Sequence, residues 1–431
     1  MNLEFAIRAL SLYGPIASAI LLWILRPHPR KTGPSVLLAL LWTLPTLLLL
    51  QRLNQQAGWW VFRTQGPTLR GLPVELFLGW ACLWSAVPVL AFRRTWTATL
   101  AMVTLDLIVM PLCVPVVILG PHWLMGEAAA ALIVLLPALL LAQWTREDHH
   151  LNLRVTLQVV IAGGIFLYLP PEIAFAIRGG TWHSHPALQL VPLLALPGLS
   201  AVQEFAQRGR GTPIPYDPPR SLVTTGLYRY IANPMQLSCM VVLFVWGYPL
   251  GGLWLASAGL IALAYSAGIA RWDEHEDLAK RFGAPWLDYR SHVQDWLPRW
   301  TPYTPRPAQV YIAQTCGPCS ELSRWLKARS PHGLEILPAE SHPNSLKRMH
   351  YADAPYQADG VEALARTLEH INVAWAFLGA GMRLPIILPL LQRIADASGF
   401  GERNLGGETL CRPLKRSIGR KRPTGWFAAL G

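Results

Sequence analysis

The sequence predicts a polytopic α-helical membrane protein that carries a small α/β domain at its C-terminus. Of its 431 residues, 52% are hydrophobic and only 14% are charged, whereas soluble globular proteins have about 25% charged residues. The hydrophobic residues gather in blocks close to the roughly 20 residues that cross a bilayer as a helix. From Tyr303 onward the composition becomes that of a small soluble domain. An ordinary soluble globular protein is therefore excluded.

Nine nearly uncharged runs predict nine membrane spans. The last two runs meet at residues 249–252 without a charged loop, which predicts a tight helical hairpin with both ends on one side of the membrane. The predicted spans are residues 9–25, 35–50, 72–92, 98–119, 128–144, 155–177, 187–202, 234–250 and 252–270.

The distribution of basic residues predicts the orientation of these spans. One set of alternate loops carries eleven Lys and Arg residues and the other set carries five, and short cytoplasmic loops are the ones that hold the excess. The segment after residue 270 is therefore expected in the cytoplasm, and a bacterial inner membrane is the expected location. The formal charge of +12 fits an anionic lipid surface better than nucleic acid, because the charges lie in loops and in the tail.

Polar residues flank the predicted hairpin on both sides. Before it stands Gly226-Leu227-Tyr228-Arg229-Tyr230-Ile231-Ala232-Asn233-Pro234, and after it stand Glu274-His275-Glu276, Phe282-Gly283 and Tyr289. A pocket built from both stretches would have Arg and Asn donors on one wall and carboxylates on the other, with an apolar slot open to lipid between them. Such a pocket suits a cationic cofactor beside a lipophilic acceptor.

This arrangement resembles the isoprenylcysteine carboxyl methyltransferase and phospholipid methyltransferase superfamily over about residues 204–300. The resemblance implies that both stretches bind S-adenosylmethionine and that the acceptor is lipophilic, such as an isoprenylcysteine carboxylate, a phospholipid or a small thiol. It assigns cofactor contacts to Tyr228, Arg229, Asn233, Pro234, Glu274, Phe282, Gly283 and Tyr289.

Three positions depart from the family pattern. Ala232 replaces a usual Arg, Gln236 replaces a usual Tyr, and His275 replaces a usual second Glu. Methyl transfer needs alignment and a dry site but neither a metal nor a covalent intermediate, so no metal ligands are assigned. An amine or hydroxyl acceptor would need a base, for which Glu274 and His275 are the candidates. The alternative is that these residues form a solvated helix face.

The C-terminal domain carries a Cys-Gly-Pro-Cys motif. Residues 309–313 predict a buried strand, and Cys316 and Cys319 then open a predicted helix that extends through residue 326. A helix N-terminus stabilises a thiolate, which predicts Cys316 as the attacking thiol and Cys319 as the resolving thiol. Half of a zinc site and an inert pair of thiols are the alternatives.

The segment from Val310 to Trp325 resembles the thioredoxin-like fold and, within it, the DCC family of thiol–disulfide oxidoreductases. A further strand is predicted at residues 334–337, after a turn at Gly333. The resemblance implies a redox-active pair and a thiol partner. In a cytoplasmic location any disulfide of the pair would be transient.

The expected domain organisation has four parts: an N-terminal membrane region of unrecognised role at 1–186, a methyltransferase-like core at 187–300, a thioredoxin-like domain at 308–400 and a basic tail at 401–431. The leading hypothesis is a methyltransferase with an appended redox domain. The second is a membrane-tethered thiol–disulfide oxidoreductase with a degenerate methyltransferase scaffold. A transporter is the third, motivated by the intramembrane Asp106 and Glu172.

Overall fold

The computed structural model describes residues 3–29, 31–178, 189–213, 219–247, 257, 259–260 and 271–402, without the side chains at 175, 176, 178 and 271–276. The chain divides into two compact units. The first contains residues 1–191, 211–218 and 242–257, and the second contains residues 192–210, 219–241 and 258–431. Each unit is described by itself below.

Within the described residues, six helices are long and apolar enough to cross a membrane. They coincide with the first six predicted spans, and the second of them is the most deeply buried because the others pack around it. Their bounds are Leu3–Leu25, Thr32–Ala57, Val74–Ala91, Thr95–Leu112, Trp123–Glu147 and Leu151–Ala174.

Within the described residues, the seventh and eighth predicted spans correspond to the helices Leu190–Glu204 and Pro234–Gly247. The first of them continues helically through Gly209, and the second ends where the described residues end. The ninth run falls almost entirely outside the described residues, so the hairpin prediction is not addressed by the structure.

The helix predicted over residues 98–119 was too long. It ends at Leu112, and Val117–Leu119 is a strand that pairs antiparallel with Trp60–Phe62. Pro115, which lacks an N–H group, stands between the helix and the strand and cannot extend the helical hydrogen bonds. A second small ribbon pairs Thr68–Leu69 with Leu72–Pro73, so the predicted run that starts at residue 72 begins as a strand.

The second unit contains a four-stranded mixed sheet. Its strands are β1 (Ala308–Ile312), β2 (Leu334–Pro338), β3 (His350–Asp353) and β4 (Tyr356–Asp359), in the order β2-β1-β3-β4. β1 pairs in parallel with β2, and β3 is antiparallel to both β1 and β4. Both strands predicted from the sequence are found within one residue of their expected bounds.

Helices cover one face of this sheet. The side chains of Ala308, Val310 and Ile312 point to that face and form the core together with Leu326 and Leu368 of two helices. The helices of the second unit, including those at its borders, are α1 (Leu190–Glu204), α2 (Pro234–Gly247), α3 (Arg271–Phe282), α4 (Ala284–His292), α5 (Gly317–Lys327), α6 (Val361–Leu368), α7 (Val373–Met382) and α8 (Ile387–Ala395).

A buried charge ring joins α1 to the helices that follow the sheet. It consists of Glu204, Arg366, Glu369 and Arg383, each of which is 1% exposed. Arg366 Nη1 lies 2.7 Å from Glu204 Oε2 and 3.3 Å from Glu369 Oε2. Arg383 closes the ring, with Nη1 2.8 Å from Glu204 Oε2 and Nη2 2.5 Å from Glu369 Oε1. Two arginines therefore balance two carboxylates in the interior of the unit.

The arginines of the ring lower the pKa of Glu204. Burial alone would raise the pKa of Glu204, but the positive charges of Arg366 and Arg383 outweigh it and hold that pKa below its usual range. Gly226 lies directly against the ring with a positive φ of 64°. A Cβ at this position would stand 3.2 Å from Glu204 Cδ and from Arg383 Nη2, so both the backbone conformation and the space favour glycine.

Replacing Arg366 or Arg383 with Met should lower the unfolding free energy of the second unit by about 3–5 kcal/mol, because the two buried carboxylates of the ring then share a single arginine and one negative charge is no longer balanced within the ring. The exposed Arg306→Met is the matched control and should change little. Thermal denaturation of the full-length protein in detergent measures both effects. Equal melting temperatures for the ring variants and the control would contradict a structural role of the ring.

Candidate functional site

The Cys-Gly-Pro-Cys motif lies where β1 passes into α5. Cys316 is the N-cap residue of α5, in an extended conformation (φ −101°, ψ 120°), and its carbonyl oxygen accepts the N–H of Ser320 at 2.8 Å. Cys316 is only 4% exposed, whereas Cys319, in the first turn, is half-buried. The position at the positive end of a helix favours a thiolate at Cys316, as the sequence predicts.

Several polar side chains share the sheet edge at which Cys316 lies, which we call the dithiol edge. β1 and β2 are parallel, so both end there, and Glu340 and His342 follow β2. β3 is antiparallel to β1 and therefore begins there at His350, which is paired with Tyr311. β4 ends there at Asp359, opposite His350. The topology thus gathers residues that are far apart in the sequence.

Glu340 holds the loop that precedes Cys316. Its Oε1 accepts the backbone N–H groups of Gln314 at 2.9 Å and of Thr315 at 3.1 Å, together with the Thr315 hydroxyl at 2.9 Å. Partial burial acts to raise the pKa of Glu340, but these hydrogen bonds outweigh it and hold the pKa below its usual range. Oε2 is buried and accepts no hydrogen bond from the described residues, so it can still receive a proton or a donor at this edge.

Two imidazoles lie beside Tyr311, which itself packs against the cluster around Cys316. The His342 ring lies 4.6 Å from the Tyr311 ring and 5.4 Å from the His350 ring. His350 Nδ1 contacts Asp359 Oδ1 at 2.8 Å, while its Nε2 is buried without a hydrogen-bond partner among the described residues. The dithiol edge therefore carries two imidazole rings beside Tyr311.

The first predicted cofactor stretch is deeply buried. Tyr228 is 5% exposed and Arg229 is 3% exposed. The Arg229 guanidinium lies 3.5 Å from Asp353 Oδ2 and 3.4 Å from the Tyr303 carbonyl oxygen. The hydroxyl of Tyr230 donates to the Glu369 carbonyl at 2.9 Å. These contacts direct the polar groups of the stretch toward the sheet and its helices.

The second predicted stretch meets the first one directly. The Tyr289 hydroxyl donates to the Tyr228 carbonyl at 2.9 Å, and the Asn233 amide donates to Asp295 Oδ1 at 3.2 Å. Burial raises the pKa of Tyr289, so its hydroxyl stays protonated as a donor. Pro234 begins α2. The structure therefore brings together Tyr228 and Tyr289, which are separated by the predicted hairpin in the sequence, whereas Asn233 contacts Asp295, a residue outside the predicted site.

The remaining predicted cofactor residues have different surroundings. Phe282 packs in the apolar cluster of Trp286 and Tyr289, and Gly283 caps the N-terminus of α4 with a φ of 58°. The backbone of Glu274 and His275 belongs to α3, but their side chains lie outside the described residues.

The structure describes the surroundings of two of the three residues that depart from the family pattern. Ala232 packs against the same apolar cluster as Phe282, and its N–H donates to the Gln294 carbonyl at 2.9 Å. The carbonyl oxygen of the Gln236 side chain is buried without a hydrogen-bond partner among the described residues. A small apolar residue at 232 thus fits the local packing.

The first unit also contains buried carboxyl groups. Glu172, 2% exposed, pairs with Arg70 at 3.0 Å (Oε1 to Nη2) and lies 3.8 Å from Arg52, so its charge is compensated. Asp106 is hydrogen-bonded to Glu127, and both line a cavity of about 20 Å³, which is room for about one water molecule. The sequence indicates Asp106 and Glu172 as intramembrane carboxyl groups but does not indicate Glu127.

Replacing Glu340 with Ala should free the loop before Cys316 and raise the rate at which iodoacetamide alkylates Cys316 several-fold at neutral pH. Glu335→Ala, at an exposed site on β2, is the control and should leave the rate unchanged.

Because the pKa of Glu340 is depressed in the fold, the stabilising effect of the Glu340 carboxylate is present above about pH 4.3 and is lost as the pH falls below that value. The difference in melting temperature between wild type and Glu340→Gln should therefore disappear in acid. A difference that does not shrink as the pH falls below about 4.3 would contradict this role of Glu340.

Neither the family models nor the curated proteins nor the solved structures that were compared include a match to this chain.

Proposed function

We propose that this protein is a membrane-embedded thiol–disulfide oxidoreductase that works through Cys316 and Cys319. The observation that carries the proposal is the position of Cys316 at the N-cap of α5, directly after an inner strand of the sheet. The strand order β2-β1-β3-β4, with only β1 and β2 parallel, supports the resemblance to a thioredoxin-like domain. The six long apolar helices support a membrane location.

In the proposed reaction the Cys316 thiolate attacks one sulfur of a substrate disulfide and forms a mixed disulfide, and the other substrate sulfur leaves as a thiolate. The Cys319 thiolate then attacks Cys316 Sγ, which releases the second substrate sulfur. The substrate gains two electrons and the dithiol loses two, while the two protons of the dithiol pass to the substrate thiolates. Glu340, His342 and His350 lie at the edge where these protons move.

The two thiols differ in burial, and this difference affects which of them can attack the substrate disulfide first. Cys316 has the helix N-terminus in its favour, but Cys319 is the more exposed of the two. Attack by Cys316 therefore requires the loop of Gln314 and Thr315, held by Glu340, to shift when the substrate docks. With the C-terminal part on the cytoplasmic side, as the charge bias predicts, the resting state is the dithiol.

Poising the full-length protein in glutathione buffers and trapping thiols by alkylation tests the proposal. Peptides containing Cys316 and Cys319 should lose alkylation together as the buffer becomes oxidising and regain it on reduction, because they form one two-electron couple. Cys316→Ser should abolish the protection of Cys319. The membrane cysteines Cys82 and Cys113 serve as internal controls that stay reduced. A pair that remains alkylated across all buffers would exclude this function.

A second function, methyl transfer from S-adenosylmethionine to a lipophilic acceptor, is supported by one observation. The two stretches that resemble the methyltransferase superfamily contact each other, through Tyr289 and Tyr228 and through Asn233 and Asp295. In this reading Asn233 and Glu274 would bind the cofactor, and alignment in a dry site would supply the rate enhancement. The burial of Arg229 against Asp353 favours the redox function over this one.

Titrating the purified protein with S-adenosylmethionine by calorimetry tests the second function. Saturable binding that is weakened about tenfold by Asn233→Ala would support it, since one hydrogen bond to a charged group contributes about 1.5 kcal/mol. Gln309→Ala on the sheet is the control and should bind as wild type does. The absence of saturable binding, or equal binding by Asn233→Ala, would exclude it.

A further inference from the structure

The last two helices of the sheet domain form a bent apolar pair. α7 covers Val373–Met382, and the next helical segment covers Ile387–Phe400 at an angle of 90° to it. Together they are as apolar as a membrane span. α7 has ten residues and rises only about 15 Å, half the thickness of a bilayer core. The bend prevents the pair from crossing a membrane as one straight helix.

Two polar side chains of the second segment, Gln392 and Asp396, face the protein. Gln392 Oε1 accepts the backbone N–H of Val361 at 3.0 Å, and Gln392 Nε2 donates to Asp396 Oδ1 at 2.8 Å. Asp396 also pairs with Arg348, whose Nη2 lies 3.2 Å from Asp396 Oδ2. This segment is therefore attached to the domain by hydrogen bonds and an ion pair.

Part of the apolar surface at the start and along this segment faces outward, while Ile387, Leu388 and Leu391 are half-buried. Ile386, Leu390 and Ile394 are 80%, 55% and 52% exposed, and their spacing of four residues places them along one side of the helix. Phe377 and Leu378 of α7 and Phe400 at the end of the pair are exposed as well. We call these six residues the outer apolar face.

The exposure of Leu390 and Ile394 beside the inward-facing Gln392 and Asp396 departs from an amphipathic helix in a soluble protein, which buries its apolar side and exposes its polar side. Exposing six large apolar side chains to water is unfavourable. Gln392 and Asp396 are hydrogen-bonded within the domain, whereas Leu390 and Ile394 are exposed. This combination suits a helix whose outer side contacts an apolar environment.

We propose that the outer apolar face lies in the surface of the lipid bilayer, so that the C-terminal sheet domain is itself attached to the membrane. The same chain carries six helices that are long and apolar enough to cross a membrane, so a bilayer is the apolar environment that its own sequence indicates. Arg393 is exposed between Leu390 and Ile394, where its guanidinium can reach lipid phosphates while the neighbouring side chains enter the acyl boundary.

The sequence that follows this segment supports an anionic lipid surface as the partner. After residue 411 the chain carries six basic residues and no acidic residue up to its end: Arg412, Lys415, Arg416, Arg420, Lys421 and Arg422. Basic residues near a membrane surface gain about 1 kcal/mol each from anionic lipid. Apolar insertion and charge attraction would therefore act at adjacent positions in the chain.

Photo-crosslinking of the full-length protein in lipid nanodiscs tests this proposal. The photoreactive residue p-benzoylphenylalanine replaces Leu390 or Ile394, and the exposed Gln357 on β4 is the control position. After irradiation, mass spectrometry measures the fraction of each peptide that carries a phospholipid. Adducts should be several-fold more abundant at positions 390 and 394 than at 357, and they should increase when phosphatidylglycerol replaces part of the phosphatidylcholine.

Two results would overturn the proposal. Lipid adducts at positions 390 and 394 that are no more frequent than at 357 would show that this face does not contact lipid. Crosslinks from these positions mainly to a second copy of the chain, detected as a dimer on denaturing gels, would identify a protein interface instead. Variants are compared only if they elute from size-exclusion chromatography as the wild type does.

Discussion

The buried charge ring of Glu204, Arg366, Glu369 and Arg383 is the constraint on which the second unit depends. Four charges taken out of water are tolerated only when each keeps its partners, so the positions of α1, α6 and the end of α7 are fixed together. The segment Gly226–Arg229 lies within this arrangement, because Gly226 leaves space for the ring and Tyr230 bonds to the Glu369 carbonyl. The sheet domain is therefore not a freely tethered module.

The contacts around the ring favour thiol–disulfide exchange over methyl transfer as the chemistry of this protein. The residues that resemble a cofactor-binding stretch are occupied by contacts with the sheet domain, through Arg229 with Asp353 and through Leu227 and Tyr230 with Ala376 and Ala380. The dithiol, in contrast, lies at the dithiol edge with one half-buried cysteine. These contacts favour the proposed redox function and leave the outer apolar face available for the proposed contact with lipid.

Much of the fold follows from local sequence signals. Long apolar runs give the first six helices, and the pattern at 309–313 with the Cys-Gly-Pro-Cys motif gives β1 and α5, because both signals lie within one stretch of chain. The charge ring was not foreseen, since Glu204 and Arg366 are 162 residues apart and nothing local pairs them. Glu340 and His350 were missed as well. The parallel pairing of β1 with β2 places Glu340, which follows β2, against Gln314 and Thr315 of the loop before Cys316, and this pairing cannot be inferred from either strand alone.

Trapping the reaction intermediate tests the central claim most directly. In the Cys319→Ser variant no resolving thiol is present, so a mixed disulfide formed at Cys316 should persist. The account predicts that this variant, expressed at full length and alkylated rapidly, carries disulfide-linked adducts at Cys316 that dithiothreitol removes, and that the double variant Cys316→Ser/Cys319→Ser carries none. Adducts that form at Cys319 when Cys316 is replaced, but never at Cys316 when Cys319 is replaced, would contradict it, as would the absence of adducts in every variant.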